Sequence, residues 1–213
     1  MVQTAREHAF ASLSGFYDAL CNVLASAPAR ASAARPLHCT RILTPLGPML
    51  AMAHDEAIVL LEFTDPHTLG TQLRRSGRKL AGTPVPAAND VLERTRAELD
   101  AYCAGTLRQF TVAIDPAGTP FQHEAWRVLR EIPYGSTRSY ADQARAVGRP
   151  AATRAVARAN GDNPIAIIVP CHRVIGADGR LTGYGGGLWR KQRLLEHEQG
   201  RPLLDAAASR PVW

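Results

Sequence analysis

The chain has 213 residues, of which 46% are hydrophobic, enough to bury a core, and no stretch approaches the ~18 uncharged apolar residues that a membrane span needs. Lys and Arg total 25 against 19 acids, and the excess is local: residues 120–201 hold 13 basic and 7 acidic side chains, the remainder 12 of each. A basic segment of this kind attracts polyanions, DNA above all.

The Ala-rich first thirty residues are interrupted by Glu7 and Asp18 and contain no compact apolar region before a cleavage-like site. A cytoplasmic protein without membrane contact is expected. Four cysteines, Cys21, Cys39, Cys103 and Cys171, lie far apart with no C-x-x-C pair, which argues against a disulfide framework and against a zinc knuckle.

In chain order, residues 1–36 read as short helices closed by Ala, Pro and Arg. HCTRILT, LGPMLAMA and AIVLLEF then predict three extended segments, separated by turn signals at Pro45-Leu46-Gly47 and His54-Asp55-Glu56. A helical pattern covers roughly 66–80. Another starts at Asn89, an N-cap residue, and runs to Gly105. QFTVAI (109–114) predicts a further strand, and DPAGTP breaks the pattern at a candidate domain boundary.

Beyond it the pattern is mainly helical. Thr119-Pro120 opens FQHEAWRVLREI, with Phe121, Ala125, Val128 and Ile132 at helical spacing. SYADQARAV and AATRAVARAN follow, joined by Gly148-Arg149-Pro150: helix, tight turn, helix, the layout of a helix-turn-helix DNA reader. The second helix is thin, with Ala151, Ala152, Ala155, Ala157 and Ala159, and projects Arg154 and Arg158. The apolar run IAIIVP predicts a buried strand that ends at CHRV. The Gly-rich GYGGG (183–187) lets backbone approach a ligand closely but lacks the Lys-Ser/Thr of a phosphate loop. A last helix, LWRKQRLLEHEQG, ends at Gly200.

The chemistry concentrates at Cys171. A thiol becomes a nucleophile when its pKa falls or a base takes its proton. His172 is adjacent, but neighbours in a strand point to opposite faces. Contact therefore requires a turn after Pro170, or a bridging water. An acid must in turn hold the imidazole tautomer, and Glu196 and Glu198 are both candidates.

PCHRV, preceded by NPIAIIV and followed by GYGGGLWRKQRLLEHE, resembles the active-site signature of the O6-alkylguanine-DNA alkyltransferases. The resemblance is nearly gap-free from Phe121 to Gly200 and fainter back to Arg41 through TPLGPMLA. It implies that Cys171 is the nucleophile that takes the alkyl group, His172 a water-mediated base, and Glu198 the acid that orients it. Asn163 matches the asparagine that braces the active-site turn. Tyr140 matches the tyrosine that steers the rotating nucleotide and assists proton transfer. Arg154 matches the arginine that fills the gap left in the base stack. Tyr184, Gly185 and Gly186, with Pro170 and Val174, match the walls of the alkylguanine pocket. Gly185 stands where relatives carry Ser, so an O6 contact there would use backbone N–H. Ala151, Ala155, Arg158 and Arg173 complete the expected DNA-contacting set, with the helix-turn-helix in the minor groove.

The resemblance further implies an irreversible, single-turnover transfer with nucleotide flipping and without cofactor or metal. The expected partner is double-stranded DNA containing O6-alkylguanine, with O4-alkylthymine a further candidate, and the protein is expected to be a monomer. The fold implied is α/β, with a ribonuclease-H-like N-terminal domain (39–118), a mainly helical, winged-helix-like catalytic domain (119–202) and a tail (203–213). HAFASLSGFYDALCNVLASAP (8–28) resembles the closing part of an AraC-type DNA-binding domain, which makes 1–38 a partial remnant. Three alternatives remain. They are an Ada-type regulator switched by self-alkylation, a non-catalytic damage binder, whose class carries Trp in place of the cysteine, and a hydrolytic Cys-His enzyme.

Overall fold

The computed structural model describes residues 35–64, 73 and 82–203. The AraC-like segment, all but Leu73 of the helical pattern at 66–80 and most of the tail lie outside the described residues.

Alternating burial in Pro36–Thr44 (β1) and the continuous apolar runs Gly47–Ala53 (β2) and Ile58–Phe63 (β3) form an antiparallel meander. Pro45 and Leu46 close the first hairpin, with Gly47 at φ 113°, a backbone conformation that favours glycine. Thr83–Val85 (β4) adds a parallel strand beside β1, for the order β3-β2-β1-β4. Asn89 caps Asp90–Cys103 (α1) by accepting from the Leu92 amide at 3.0 Å, and such a cap is worth about 1 kcal/mol. α1 buries Leu92, Leu99 and Tyr102.

The segment 109–114 is not the strand expected. Glu98 accepts from the amides of Thr111 (2.8 Å) and Val112 (3.1 Å). A side chain therefore takes the donors that a ladder would use, and only the bridge of Ile114 with Ile58 remains.

Thr119 and Gln122 form a capping box on Pro120–Arg130 (α2). Arg138–Ser139 (β5) leads into Tyr140–Ala146 (α3), which Ser139 caps. A 3-10 turn at Pro150–Ala152 continues into Thr153–Gly161 (α4). Buried amides tie these helices together. Gln143 and Asn160 bond reciprocally at 3.0 and 2.7 Å, Gln143 also reaches the Ala125 carbonyl, and the Trp126 indole donates to the Ala159 carbonyl at 2.8 Å.

IAIIVP is likewise not a strand. It coils into tight turns, with Ile167 at φ 70° and bonds from Ile168 N to Ala166 O and from Val169 N to Ile165 O. All its apolar side chains are buried, because turns aim them inward as effectively as a strand would. A positive φ at a β-branched residue is strained, and the edge strand holds it. Leu61 N donates to Pro164 O at 2.8 Å, and Ala166 N donates to Leu61 O at 2.7 Å. A 3-10 turn follows at Cys171–Arg173, then Val174–Ile175 (β6), paired with β5, and finally Leu188–Glu198 (α5). One apolar core runs from Ile42 and Phe63 of the sheet through Trp126 and Leu129 to Leu194 of α5.

Candidate active site

Asn163 is buried and anchors Cys171 directly. Its Oδ1 accepts from Ile165 N at 3.0 Å, and its Nδ2 donates to Val169 O at 2.9 Å and to Cys171 Sγ at 3.4 Å. One amide thus pins both ends of the strained turn and touches the sulfur. The 3-10 turn after Pro170 sets His172 against α5, where Nε2 lies 3.0 Å from Glu198 Oε1.

Glu198 is the hub of a buried network. Arg173 donates from Nη2 at 2.8 Å and from Nε at 2.9 Å, Tyr102 donates its hydroxyl at 2.8 Å, and Gly135 donates its amide at 3.0 Å. Burial pushes the carboxyl pKa up, but the bonds from His172 and Arg173 outweigh it and hold the group well below the ordinary carboxylate range. An ionised carboxylate only accepts, so His172 Nε2 carries the ring hydrogen and Nδ1 keeps its lone pair. Desolvation lowers the His172 pKa, which leaves the ring neutral. Nδ1 is buried with no hydrogen-bond partner among the described residues, as a base awaiting a proton through an intervening molecule would be. Glu196 lies on the outer side of α5 and pairs with Arg193 and Arg201.

The sulfur is buried and protonated at rest. Cys171 is only 8% exposed, and burial pushes its thiol up to about 11, helped by the negative charge of Glu62; Asn163 and Lys191 pull the other way. At rest the group is a thiol, and its proton must leave during the reaction. Its surroundings are not purely apolar, since Asn163 touches it and Tyr140, Tyr184 and Lys191 interact with its charge.

The loop before α5, expected to wall the alkylguanine pocket, packs beside this turn. Lys191 is fully buried and donates to the carbonyls of Val174 (2.6 Å), Thr182 (2.6 Å) and Gly183 (3.3 Å). It therefore straps the loop to the strand that follows Cys171. Gly186 is buried; a Cβ there would lie 2.7 Å from the Phe63 ring and 2.9 Å from Tyr184. Gly185 is half-buried beside it, and Tyr184 stands edge-on to His172, its hydroxyl without a hydrogen-bond partner among the described residues. Tyr140 bonds Thr182 O at 3.3 Å. Pro170 and Val174 are buried at the turn.

On the outside, the 3-10 turn exposes Ala151, and α4 exposes Arg154, Ala155 and Arg158 and buries Val156, Ala159 and Asn160. Arg173 does not belong with them. It is 7% exposed, bonded to Glu198 and to Ile132 O at 2.7 Å, because the 3-10 turn sends its side chain inward. It braces the carboxylate and does not reach a DNA surface.

Tyr102, Glu62 and Lys191 went unread in the sequence. Lys191 and Glu198 are seven apart, two turns on one helix face, a signal that was available. Tyr102 is 96 residues from its partner, beyond any local pattern.

Known proteins resemble this chain over most of its length. The family model described as 6-O-methylguanine DNA methyltransferase, DNA binding domain, matches residues 120–200. The methylated-DNA–protein-cysteine methyltransferase of Mycobacterium leprae is 45% identical over 171 residues, covering 78% of this chain and 95% of that protein. The protein of that name from Methanosarcina acetivorans is 44% identical over 158 residues, covering 73% and 94%. The crystal structure of the Mycobacterium tuberculosis O6-methylguanine methyltransferase matches with a TM-score of 0.67 and 45% identity, over 78% of this chain and 94% of that one. Its complex with DNA matches with a TM-score of 0.66 over 76% and 92%. The residues around Cys171 and the extent of these matches agree: the chain belongs to the methylated-DNA–protein-cysteine methyltransferase family.

Proposed function

We propose that this protein carries out direct-reversal DNA repair, moving the alkyl group of an O6-alkylguanine in double-stranded DNA onto its own Cys171, once per molecule. The observation that carries the reading is the buried alignment at one turn: Asn163 on the sulfur, His172 held by Glu198, and the unpartnered Nδ1 left as the proton acceptor.

The target carbon is out of reach inside a duplex, so the nucleotide must be turned out into the pocket. α4 and the 3-10 turn before it approach the groove closely because Ala155 and Ala151 have little bulk. Arg158 contacts the backbone, and Arg154 fills the stack, offsetting a few kcal/mol of unstacking. Tyr140 steers the rotating nucleotide. Pro170, Val174, Tyr184, Gly185 and Gly186 enclose the purine, and the Gly185 backbone N–H faces O6.

The Cys171 proton passes through a water to His172 Nδ1, and the imidazolium that forms is stabilised by Glu198. The thiolate attacks the alkyl carbon as the carbon–O6 bond breaks, a C–S bond forms, and the guanine leaves with a proton taken up from the site. The product is a thioether. The raised resting pKa fits this sequence of events: the thiol stays neutral until substrate binding and the relay remove its proton.

In this reading the chain divides into a ribonuclease-H-like part (39–118) and a helix-turn-helix catalytic part (119–202), with 203–213 as a tail. The antiparallel meander with a parallel fourth strand and α1 supports the first assignment. The test is repair of an O6-methylguanine duplex under single-turnover conditions. Repair by the wild type should stop at one lesion per molecule, and Cys171→Ala should repair none. Continued turnover would sink the reading.

A further inference from the structure

Tyr102 belongs to α1, in the sheet-bearing part of the chain, yet its hydroxyl ends on the catalytic relay. It donates at 2.8 Å to Glu198 Oε1, the same oxygen that receives His172 Nε2 at 3.0 Å and Arg173 Nη2 at 2.8 Å. The ring is fully buried and clamped. Phe110, Tyr134 and His197 pack around it at 5.3, 6.0 and 5.3 Å, and the Tyr102 carbonyl bonds His197 Nε2 at 2.7 Å. Because His197 adjoins Glu198, this second bond fixes α5 against α1 at the relay itself.

We propose that Tyr102 is a positioning residue for alkyl transfer, which divides the charge of Glu198 with His172 and so sets how strongly the imidazole holds a proton. The inference rests on the reading of Cys171, His172 and Glu198 as the transfer relay. Each hydrogen bond to a carboxylate withdraws negative charge that would otherwise stabilise the imidazolium. With three side chains donating to one oxygen, removal of the phenol returns charge to the His172 contact. Burial and the neighbouring Glu198 charge raise the phenol pKa well above its ordinary value, so the group remains a donor throughout the working pH range. The other charges felt by this pair are Arg173 and Lys191 on His172, and the phenols of Tyr134 and Tyr184 face Glu198. None of them donates to Oε1 except Arg173.

The experiment is the single-turnover rate with O6-benzylguanine, measured across the pH range that titrates a histidine, in wild type, Tyr102→Phe and a protein with 3-fluorotyrosine at position 102 alone. Tyr102→Phe should move the acid limb of the profile up by about half a pH unit or more. The fluorinated phenol, a stronger donor of nearly the same shape, should move it down. A residue that only filled space would change the melting temperature and leave the limb in place. If Tyr102→Phe does not fold, the fluorinated protein still decides. An unmoved limb overturns the proposal for Tyr102, whereas failure of the wild type to become alkylated at Cys171 overturns the relay reading itself.

Discussion

Replacing Glu198 by glutamine is the severest single test of the buried network. The carboxylate accepts from His172, Arg173, Tyr102 and Gly135 and donates to none of them. Glutamine keeps the shape but turns one oxygen into NH2. In the Oε2 position that group would oppose the Gly135 amide and Arg173 Nε; in the Oε1 position it would oppose Tyr102 and His172. Either way Arg173, 7% exposed, loses its counter-charge. Breaking one side of a buried pair costs about 3–5 kcal/mol, which for a chain of this length lowers Tm by roughly 6–20 °C. The imidazolium also loses its stabilising charge, and single-turnover transfer should slow by ~10²-fold or more, the usual contribution of a positioned base. Thermal melting and a quenched-flow transfer assay on the same preparation measure both effects. A variant that melts within ~2 °C of wild type, or that transfers at the wild-type rate, would refute the claim that this network holds and drives the relay.

Other outcomes follow from the same geometry. Arg154→Ala should impair repair of duplex substrate far more than reaction with free O6-benzylguanine, and equal impairment would remove its role in the base stack. Asn163→Ala removes the donor to Cys171 Sγ and both braces of the turn. It should destabilise by about 1–3 kcal/mol and slow iodoacetamide labelling of Cys171 at a fixed pH, because the thiol pKa rises further. Acid should weaken the fold in two stages, read by urea melts at stepped pH. The folded pKa of His172 is depressed by desolvation, so its contribution is present above the unfolded value near 6.5 and is lost as pH falls below it. Glu198, held far below its unfolded value of about 4.3 by His172 and Arg173 against the cost of burial, adds a second loss as pH falls through the carboxylate range.

Local signals were readable where local chemistry decides structure. Asn89 and Thr119 announce α1 and α2 because a capping side chain bonds an amide only two or three residues on. The paired turn signals around β2 fall where the hairpins turn. The segments 109–114 and 165–170 misled for one reason: an apolar run reports burial and says nothing of what satisfies its backbone. Glu98 takes the donors of the first, and Asn163 with the edge of β3 takes those of the second. Arg173, expected on the DNA-contacting face, is buried against an ion-pair partner that lies 25 residues away in α5. The order Cys171, His172, Glu198 was legible through the resemblance. Tyr102 meets Glu198 through a contact 96 residues apart that no spacing in the sequence reveals, whereas Lys191 shares a helix face with Glu198 at a seven-residue spacing.

The central claim is most directly tested by peptide-level mass spectrometry of the protein after incubation with excess O6-methylguanine duplex. One methyl group per molecule, located on Cys171 and stable to removal of the DNA, is the result this account requires. An unmodified Cys171 in protein that has repaired the lesion, or a methyl group on any other residue, would contradict it.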